Sequence, residues 1–297
     1  MPSSSPFHGL LAFPITPADD HGRVDTDTLS HLLERLCEAG VDSIGLLGST
    51  GVYAYLSREE RRRAVEAAVE CVDGRVPLMV GVGALRTDHA QELARDATRA
   101  GADALLMAPV SYTPLTQEEA YEHYLAVSAT TPLRFCIYNN PGTTHFTFSV
   151  ELIERLSRIE TIQAIKMPLP SDGDYSGELR RLREASDLAI GYSGDWGTAD
   201  AFLAGADAFY SVLAGTLPRP VQELARAAQA GNVEEARRFD AALAHLWDMF
   251  KAYGSLRVMY ALLDLMGLSS AKPPLPVRGL GSDARRQVAD ALEPFWN

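Results

Sequence analysis

Residues 39–47 read AGVDSIGLL, residues 100–107 read AGADALLM, and residues 204–211 read AGADAFYS. In each stretch an alanine and a glycine close a segment of helical periodicity, and a short apolar run follows. A glycine just past the last helical residue is a common helix C-terminus, and a short apolar run after it is typical of a buried strand. The recurrence predicts one strand–helix unit that is repeated along the chain.

The remaining sequence alternates in the same way. Strands are predicted at 10–15, 43–47, 78–82, 103–107, 133–138, 162–166, 188–192 and 207–212, and helices at 27–39, 58–73, 87–100, 117–129, 149–157, 174–185 and 197–204. Capping boxes, in which the first and fourth residues bond reciprocally, are predicted at 57–60 and 116–119. Several strands are apolar throughout, as expected when helices cover both faces of a parallel sheet.

Eight such units predict an α/β fold, a (β/α)8 TIM barrel over residues 1–215. Four more helical segments, at 218–230, 233–251, 255–266 and 283–295, predict the last barrel helix and a C-terminal helical extension over residues 216–297. A doubly wound open sheet is the structural alternative. No GxGxxG motif follows the first strand, which disfavours the dinucleotide-binding form of that alternative.

Composition narrows the possible partners and the compartment. The formal net charge is -12 and the isoelectric point is near 5.0, which argues against nucleic acid or an anionic membrane as a partner. Three scattered cysteines form no CxxC pair, as is typical of a reducing compartment. Residues 1–7, MPSSSPF, lack the basic and apolar parts of a signal peptide. A cytoplasmic protein is therefore expected.

Lys166 is the residue that most strongly suggests chemistry, since the 27 basic residues include only three lysines. It closes the apolar run of the sixth predicted strand, where burying an ammonium group is costly unless the group is paired, neutralised or used. Burial favours the neutral amine, which is a nucleophile at neutral pH. The natural target of such an amine is a ketone or aldehyde carbonyl, with which it forms a Schiff base.

Other polar groups follow the ends of neighbouring strands, where the active site of a barrel gathers. Gly48-Ser49-Thr50-Gly51 follows the second strand, and its small residues favour exposed backbone N–H groups that can hold a carboxylate. Tyr138 ends the fifth strand and can transfer protons. Each of these segments also has a simple interpretation as a turn or a packing aromatic. Together they predict a site for a 2-oxo acid, of which pyruvate is the smallest useful one.

Seven segments stand in the order and spacing of a known family: Thr16-Pro17, Gly40-Val41-Asp42, Gly48-Ser49-Thr50-Gly51, Leu56-Ser57-Arg58-Glu59-Glu60, Tyr138-Asn139-Asn140-Pro141, Ile165-Lys166 and Ser193-Gly194-Asp195. On these motifs residues 7–215 resemble the dihydrodipicolinate synthase/N-acetylneuraminate lyase family of pyruvate-handling class I aldolases. The resemblance implies that the only covalent partner of the substrate is the lysine, with no cofactor.

The resemblance also implies individual roles. Lys166 is expected to form the Schiff base, and Tyr138 to transfer protons. Ser49 is expected to join a relay with two tyrosines, and Thr50 to hold the pyruvate carboxylate together with the backbone of residues 48–51. Tyr112, in the loop after the fourth strand, matches the second relay tyrosine, which reaches across a subunit interface. A homotetramer, built as a dimer of dimers, is therefore expected.

The chain departs from the family pattern at the predicted site for the second substrate, where Thr143, Asp195 and Trp196 are expected to lie. Val52 follows the glycine turn where the family has glutamate, and Thr143 stands where dihydrodipicolinate synthases carry a clamping arginine. Pro168 and Trp196 are apolar where sialic acid lyases are polar. The sequence therefore predicts a lyase, aldolase or hydro-lyase for another 2-oxo acid, such as a 2-keto-3-deoxy sugar acid or a 4-hydroxy-2-oxo acid.

Three alternatives stay open at this stage. The first is dihydrodipicolinate synthase itself, in lysine biosynthesis. The second is a sensor that binds a 2-oxo acid without turning it over. The third is a metal-dependent aldolase, which is disfavoured because the seven histidines show no HxH or HExxH spacing. No metal is therefore expected.

Overall fold

Eight parallel strands form a closed barrel in the computed structural model, which describes residues 5–295. The strands are β1 (Gly9–Ala12), β2 (Ser43–Leu46), β3 (Leu78–Gly81), β4 (Ala104–Met107), β5 (Arg134–Tyr138), β6 (Ile162–Pro168), β7 (Ala189–Ser193) and β8 (Ala208–Ser211). Each strand pairs with the next, and β8 pairs with β1. This closure confirms the predicted barrel and excludes the open sheet. The signal-peptide prediction on 1–7 rests partly on residues 1–4, which lie outside the described residues.

The helices lie close to their predicted positions. They are α1 (Thr26–Ala39), α2 (Arg58–Val72), α3 (Thr87–Ala100), α4 (Gln117–Ser128), α5 (Pro141–Thr144), α6 (Val150–Ser157), α7 (Tyr175–Ala185), α8 (Thr198–Leu203), α9 (Pro218–Gln229), α10 (Val233–Tyr253), α11 (Ser255–Leu265) and α12 (Ser282–Leu292). The one-turn helix α5 was not predicted. It begins at Pro141, whose ring presets a helical φ and whose missing N–H is not needed at a first turn.

The helix ends follow the sequence signals with one exception. Thr116 and Glu119 form the predicted capping box, and Gly40 ends α1 with a left-handed backbone. At α2 only half of the predicted box exists, because Ser57 accepts from the Glu60 N–H but the Glu60 carboxylate turns elsewhere. It accepts from the Val24 N–H at 2.7 Å and pairs with Arg63. The Glu60 side chain therefore links the loop before α1 to α2, and the second half of the capping box does not form.

Two apolar layers hold the barrel together. The larger lies between the strands and the surrounding helices. The smaller fills the barrel interior, and its members are Phe7, Leu11, Phe13, Met79, Leu106, Cys136, Tyr138, Tyr210 and four alanines. Large rings fit there because glycines face them. A Cβ at Gly191 would lie 2.5 Å from the Tyr210 ring, and one at Gly45 would lie 2.2 Å from the Phe13 ring.

The C-terminal helices extend the barrel and reach toward its upper face. α9 packs against α8 and β1, which completes the outer ring of helices. α10 packs on α9 and also contacts the 3-10 turn at Asp195–Gly197, at the carboxyl end of β7. α11 and α12 pack on α10. The boundary between residues 215 and 216 stays a prediction. No helix among residues 5–295 combines the length and the apolar character needed to cross a bilayer.

Candidate active site

Lys166 and Tyr138 stand side by side at the carboxyl ends of neighbouring strands. Tyr138 is the last residue of β5 and is in register with Lys166 on β6. Lys166 is 3% exposed, and its Nζ lies 4.1 Å from the centre of the Tyr138 ring. A cavity of about 1250 Å³ opens onto both residues. The amine is thus buried in protein on its lower side and accessible to a small molecule from above.

The turn after β2 brings a hydroxyl to this pair. Leu47 and Val52, which flank residues 48–51, both have left-handed backbones, with φ of 56° and 52°. Such backbones are uncommon for residues other than glycine and often mark functional sites. The turn places Ser49 Oγ 3.2 Å from the hydroxyl of Tyr138. A serine and a tyrosine from distant parts of the chain therefore share a hydrogen bond beside the lysine.

The same turn lines the cavity through Ser49 and Thr50 and has backbone donors available. A Cβ at Gly51 would lie 3.0 Å from the Gly48 nitrogen, so the turn is too tight for a larger residue there. Among the hydrogen bonds of the described residues, none is donated by the backbone N–H groups of 49–51. Thr50 lines the cavity wall. Free N–H groups on a turn form an anion receptor, so this geometry suits the predicted carboxylate site.

Asn140 is a site residue that the sequence analysis passed over as part of a turn. Its Nδ2 donates to the Tyr138 hydroxyl at 2.9 Å, so this hydroxyl has partners on two sides. The short helix α5 begins directly after Asn140, and the side chain points back to the barrel mouth. The only sequence signal was its place in the Tyr138-Asn-Asn-Pro141 motif.

Asp195 lies at the site but its carboxylate is occupied. It accepts hydrogen bonds from the Ser211 hydroxyl, from the Val212 N–H at 3.2 Å and from the Leu213 N–H at 3.0 Å. It is 2% exposed, and burial raises the pKa of this carboxyl, while the three hydrogen bonds offset part of that rise. The arrangement anchors the loop after β8. The contact of Asp195 with the second substrate, which the sequence suggested, stays a prediction.

The outer rim of the cavity carries both predicted specificity residues. Thr143 is exposed on α5, and Trp196 is 39% exposed, with Lys251 Nζ 5.6 Å from its ring centre. The rim also holds Asp172, Asp174 and Asp200, the last paired with Arg237. Tyr192, near the end of β7, is fully buried and packs on Tyr175 behind the cavity wall.

Tyr112 does not reach the cavity of its own chain. It lies in the loop between β4 and α4 and is 97% exposed. A tyrosine so exposed suits a contact with a second subunit, and the role across an interface stays a prediction. No group of three or more His, Cys, Asp or Glu side chains in residues 5–295 is placed to hold a metal ion. The expectation of a reaction without metal or cofactor likewise stays a prediction.

Comparison with known proteins gives one family. The model of the dihydrodipicolinate synthetase family matches residues 6–294. The 4-hydroxy-tetrahydrodipicolinate synthase of Alcanivorax borkumensis is 34% identical over 96% of both chains. The enzyme of the same name from Methylococcus capsulatus is 35% identical over 96% of this chain and 97% of that one.

Similar solved structures belong to enzymes of the same name as the family. The structure of dihydrodipicolinate synthase from Agrobacterium tumefaciens is 61% identical, covers 97% of each chain and has a TM-score of 0.96. The enzyme from Acinetobacter baumannii, solved in complex with pyruvate, is 30% identical over 97% of this chain and 98% of that one, with a TM-score of 0.89.

Proposed function

This chain belongs to the dihydrodipicolinate synthetase family, and we propose that it is a pyruvate-dependent lyase in which Lys166 forms a Schiff base with pyruvate or another 2-oxo acid. The observation that carries the proposal is the buried Lys166 amine beside the hydrogen-bonded pair of Ser49 and Tyr138. The named relatives are enzymes, which leaves the non-catalytic sensor without support from the comparisons.

The proposed chemistry converts the substrate's keto group into an electron sink. Neutral Nζ attacks the keto carbon, and the carbinolamine then loses water to give a protonated Schiff base. Its positive nitrogen accepts the electron pair from the neighbouring carbon, so that a bond to that carbon can form or break. Tyr138 supplies the proton that departs with the carbinolamine oxygen, and Ser49 lies within hydrogen-bonding distance to replace it. The N–H groups of residues 49–51 hold the carboxylate.

Two candidate reactions differ in the second substrate. The comparisons favour 4-hydroxy-tetrahydrodipicolinate synthesis, the alternative of the sequence analysis, over a divergent specificity, because the relatives carry that name. The residues at the cavity rim instead favour a reaction on a different 2-oxo acid. Thr143 stands where the family resemblance implies a clamping arginine, and the guanidinium of Arg237 is engaged with Asp200. A carboxylate on the second substrate would therefore lack a free guanidinium at this rim.

Reductive trapping tests the Schiff base directly. Borohydride with pyruvate is expected to add one pyruvate-derived mass per chain, on the peptide that contains Ile165-Lys166-Met167. Adducts on Lys251 or Lys272, or no adduct, would exclude the proposal. The same experiment with a 2-keto-3-deoxy sugar acid or a 4-hydroxy-2-oxo acid shows whether these compounds also reach the amine.

The second substrate is tested by comparing specificity constants. Aspartate semialdehyde and N-acetylneuraminate are both expected to lag the best substrate by at least ~10³ in kcat/KM, because a missing polar partner discriminates by orders of magnitude. The panel includes 2-keto-3-deoxy sugar acids, 4-hydroxy-2-oxo acids and aromatic 2-oxo acids. Thr143→Arg is expected to raise kcat/KM for aspartate semialdehyde at least ~10-fold, since a charge-assisted bidentate bond is restored. Efficient condensation by the unaltered enzyme would establish the function that the relatives' names favour.

The assembly is tested by subunit mixing. Tyr112 is proposed to complete the relay of a neighbouring subunit within a dimer or dimer of dimers. Lys166→Arg and Tyr112→Phe chains, each inactive alone, are expected to regain part of the activity when mixed, because hybrid dimers contain one intact site. If subunits exchange, as native mass spectrometry would show, and no activity returns, Tyr112 does not act across an interface.

A further inference from the structure

Three aromatic rings surround the amine of Lys166. Its Nζ lies 4.1 Å from the ring centre of Tyr138, 4.3 Å from that of Phe13 and 5.5 Å from that of Tyr210. All three distances are within the ~6 Å over which a ring face attracts a cation. Tyr138 already has a part in proton transfer. Phe13, just after β1, and Tyr210, on β8, have no part in the reaction described so far.

The Phe13 ring is held in place by its surroundings. It meets Tyr210 edge to face, with ring centres 6.0 Å apart and planes at 64°. A Cβ at Gly45 would lie 2.2 Å from Phe13 Cζ, and one at Gly48 would lie 2.7 Å from Cδ1, so both positions are without side chains where the ring lies. Phe13 is 2% exposed, and it nevertheless lines the cavity. The ring is thus fixed between the barrel core and the reacting nitrogen.

The described part of the chain gives this nitrogen no ion-pair partner in direct contact. None of the ion pairs formed by residues 5–295 includes Lys166. The carboxylate oxygens of Asp195, which is buried at the site, accept hydrogen bonds from the Ser211 hydroxyl and from two backbone N–H groups. In the protonated Schiff base the substrate's own carboxylate lies one bond from the C=N carbon, where the turn at 49–51 holds it. No carboxylate among the described side chains pairs directly with the positive nitrogen, and a buried charge is costly to maintain. This charge must persist while the neighbouring carbon reacts.

We propose that Phe13 is a catalytic residue whose ring face, supported by Tyr210, stabilises the positive charge on the Lys166 nitrogen in the protonated Schiff base. This inference rests on the proposed Schiff-base function. The ring takes the place that a carboxylate side chain of the protein would otherwise occupy beside the nitrogen. A carboxylate so close would form a strong ion pair with the free ammonium and so compete with the neutral nucleophile, whereas a ring attracts the cation more weakly.

The test changes the electron density of the ring face while the shape of the ring stays nearly the same. Phenylalanine at position 13 is replaced by its 4-fluoro, 3,5-difluoro and 3,4,5-trifluoro forms, which withdraw electron density from the face step by step. The measured quantity is the second-order rate of cyanoborohydride trapping with pyruvate. We expect a graded fall that reaches about 10–30-fold for the trifluoro ring, the range of a desolvated cation–π contact. The 4-methyl form is the control for size, and it should retain most of the rate.

Two further measurements keep the test decisive. Circular dichroism and thermal unfolding show whether each variant is folded, and Phe13→Leu, which keeps apolar bulk without a π face, should fall about as far as the trifluoro form. Two results would overturn the role of Phe13. One is a trapping rate that does not change across the fluorinated series. The other is a fall for the 4-methyl form as large as that for the fluorinated forms, because ring size would then explain the effect. Absence of trapping in the unaltered enzyme would instead overturn the Schiff-base function itself.

Discussion

Replacing Lys166 with arginine is expected to abolish both pyruvate trapping and turnover. A guanidinium has a pKa above about 12 and cannot act as a neutral nucleophile, so no Schiff base can form. The loss should reach the detection limit, since every later step depends on this covalent bond. The measurement is mass spectrometry of the borohydride-reduced protein, together with kcat for the best substrate of the panel.

Controls separate chemistry from folding. Lys166 is 3% exposed, so the larger arginine could disturb the barrel mouth, and Lys166→Met tests the same loss of the amine with less bulk. Lys272→Arg, in the loop before α12, is the matched control and should keep both trapping and turnover. Residual turnover well above background in a folded Lys166→Met protein would show that another group carries the reaction.

The Tyr138→Phe enzyme is expected to bind and trap pyruvate but to lose ~10²–10⁴ in kcat, the usual contribution of a positioned acid or base. The hydroxyl is the acceptor of Asn140 Nδ2 and the partner of Ser49, so its removal interrupts proton transfer while the ring stays beside Lys166. Trapping under saturating pyruvate and steady-state kcat separate the two effects.

The control for this prediction is Tyr121→Phe, which removes a hydroxyl from α4 on the outside of the barrel. It should change kcat by less than a few-fold. If Tyr138→Phe does no more than that, its ring is only a packing aromatic. Ser49→Ala should then also be nearly silent, whereas an intact relay predicts a clear loss, because Ser49 shares the Tyr138 hydroxyl.

The barrel was predictable because its signals are local. The Ala-Gly endings at 39–40, 100–101 and 204–205 mark helix ends by the backbone freedom of glycine, and the apolar runs after them are too short for helices. Eight repeats of one unit then restrict the topology. The one misjudged cap, at Ser57, failed for a non-local reason, since the Glu60 carboxylate bonds to Val24, 36 residues away.

The sequence by itself determined the barrel and the positions of Lys166, Tyr138 and the glycine turn at the ends of strands. Active sites of this fold lie at strand ends, and strand ends can be read from the chain. Only the tertiary structure decided how the side chains point. The Asp195 carboxylate binds the loop after β8, the Tyr192 ring is buried behind the cavity wall, and the Phe13 ring lies against Lys166. These directions depend on packing between strands that are far apart in sequence, where a glycine on one strand makes room for a ring on another.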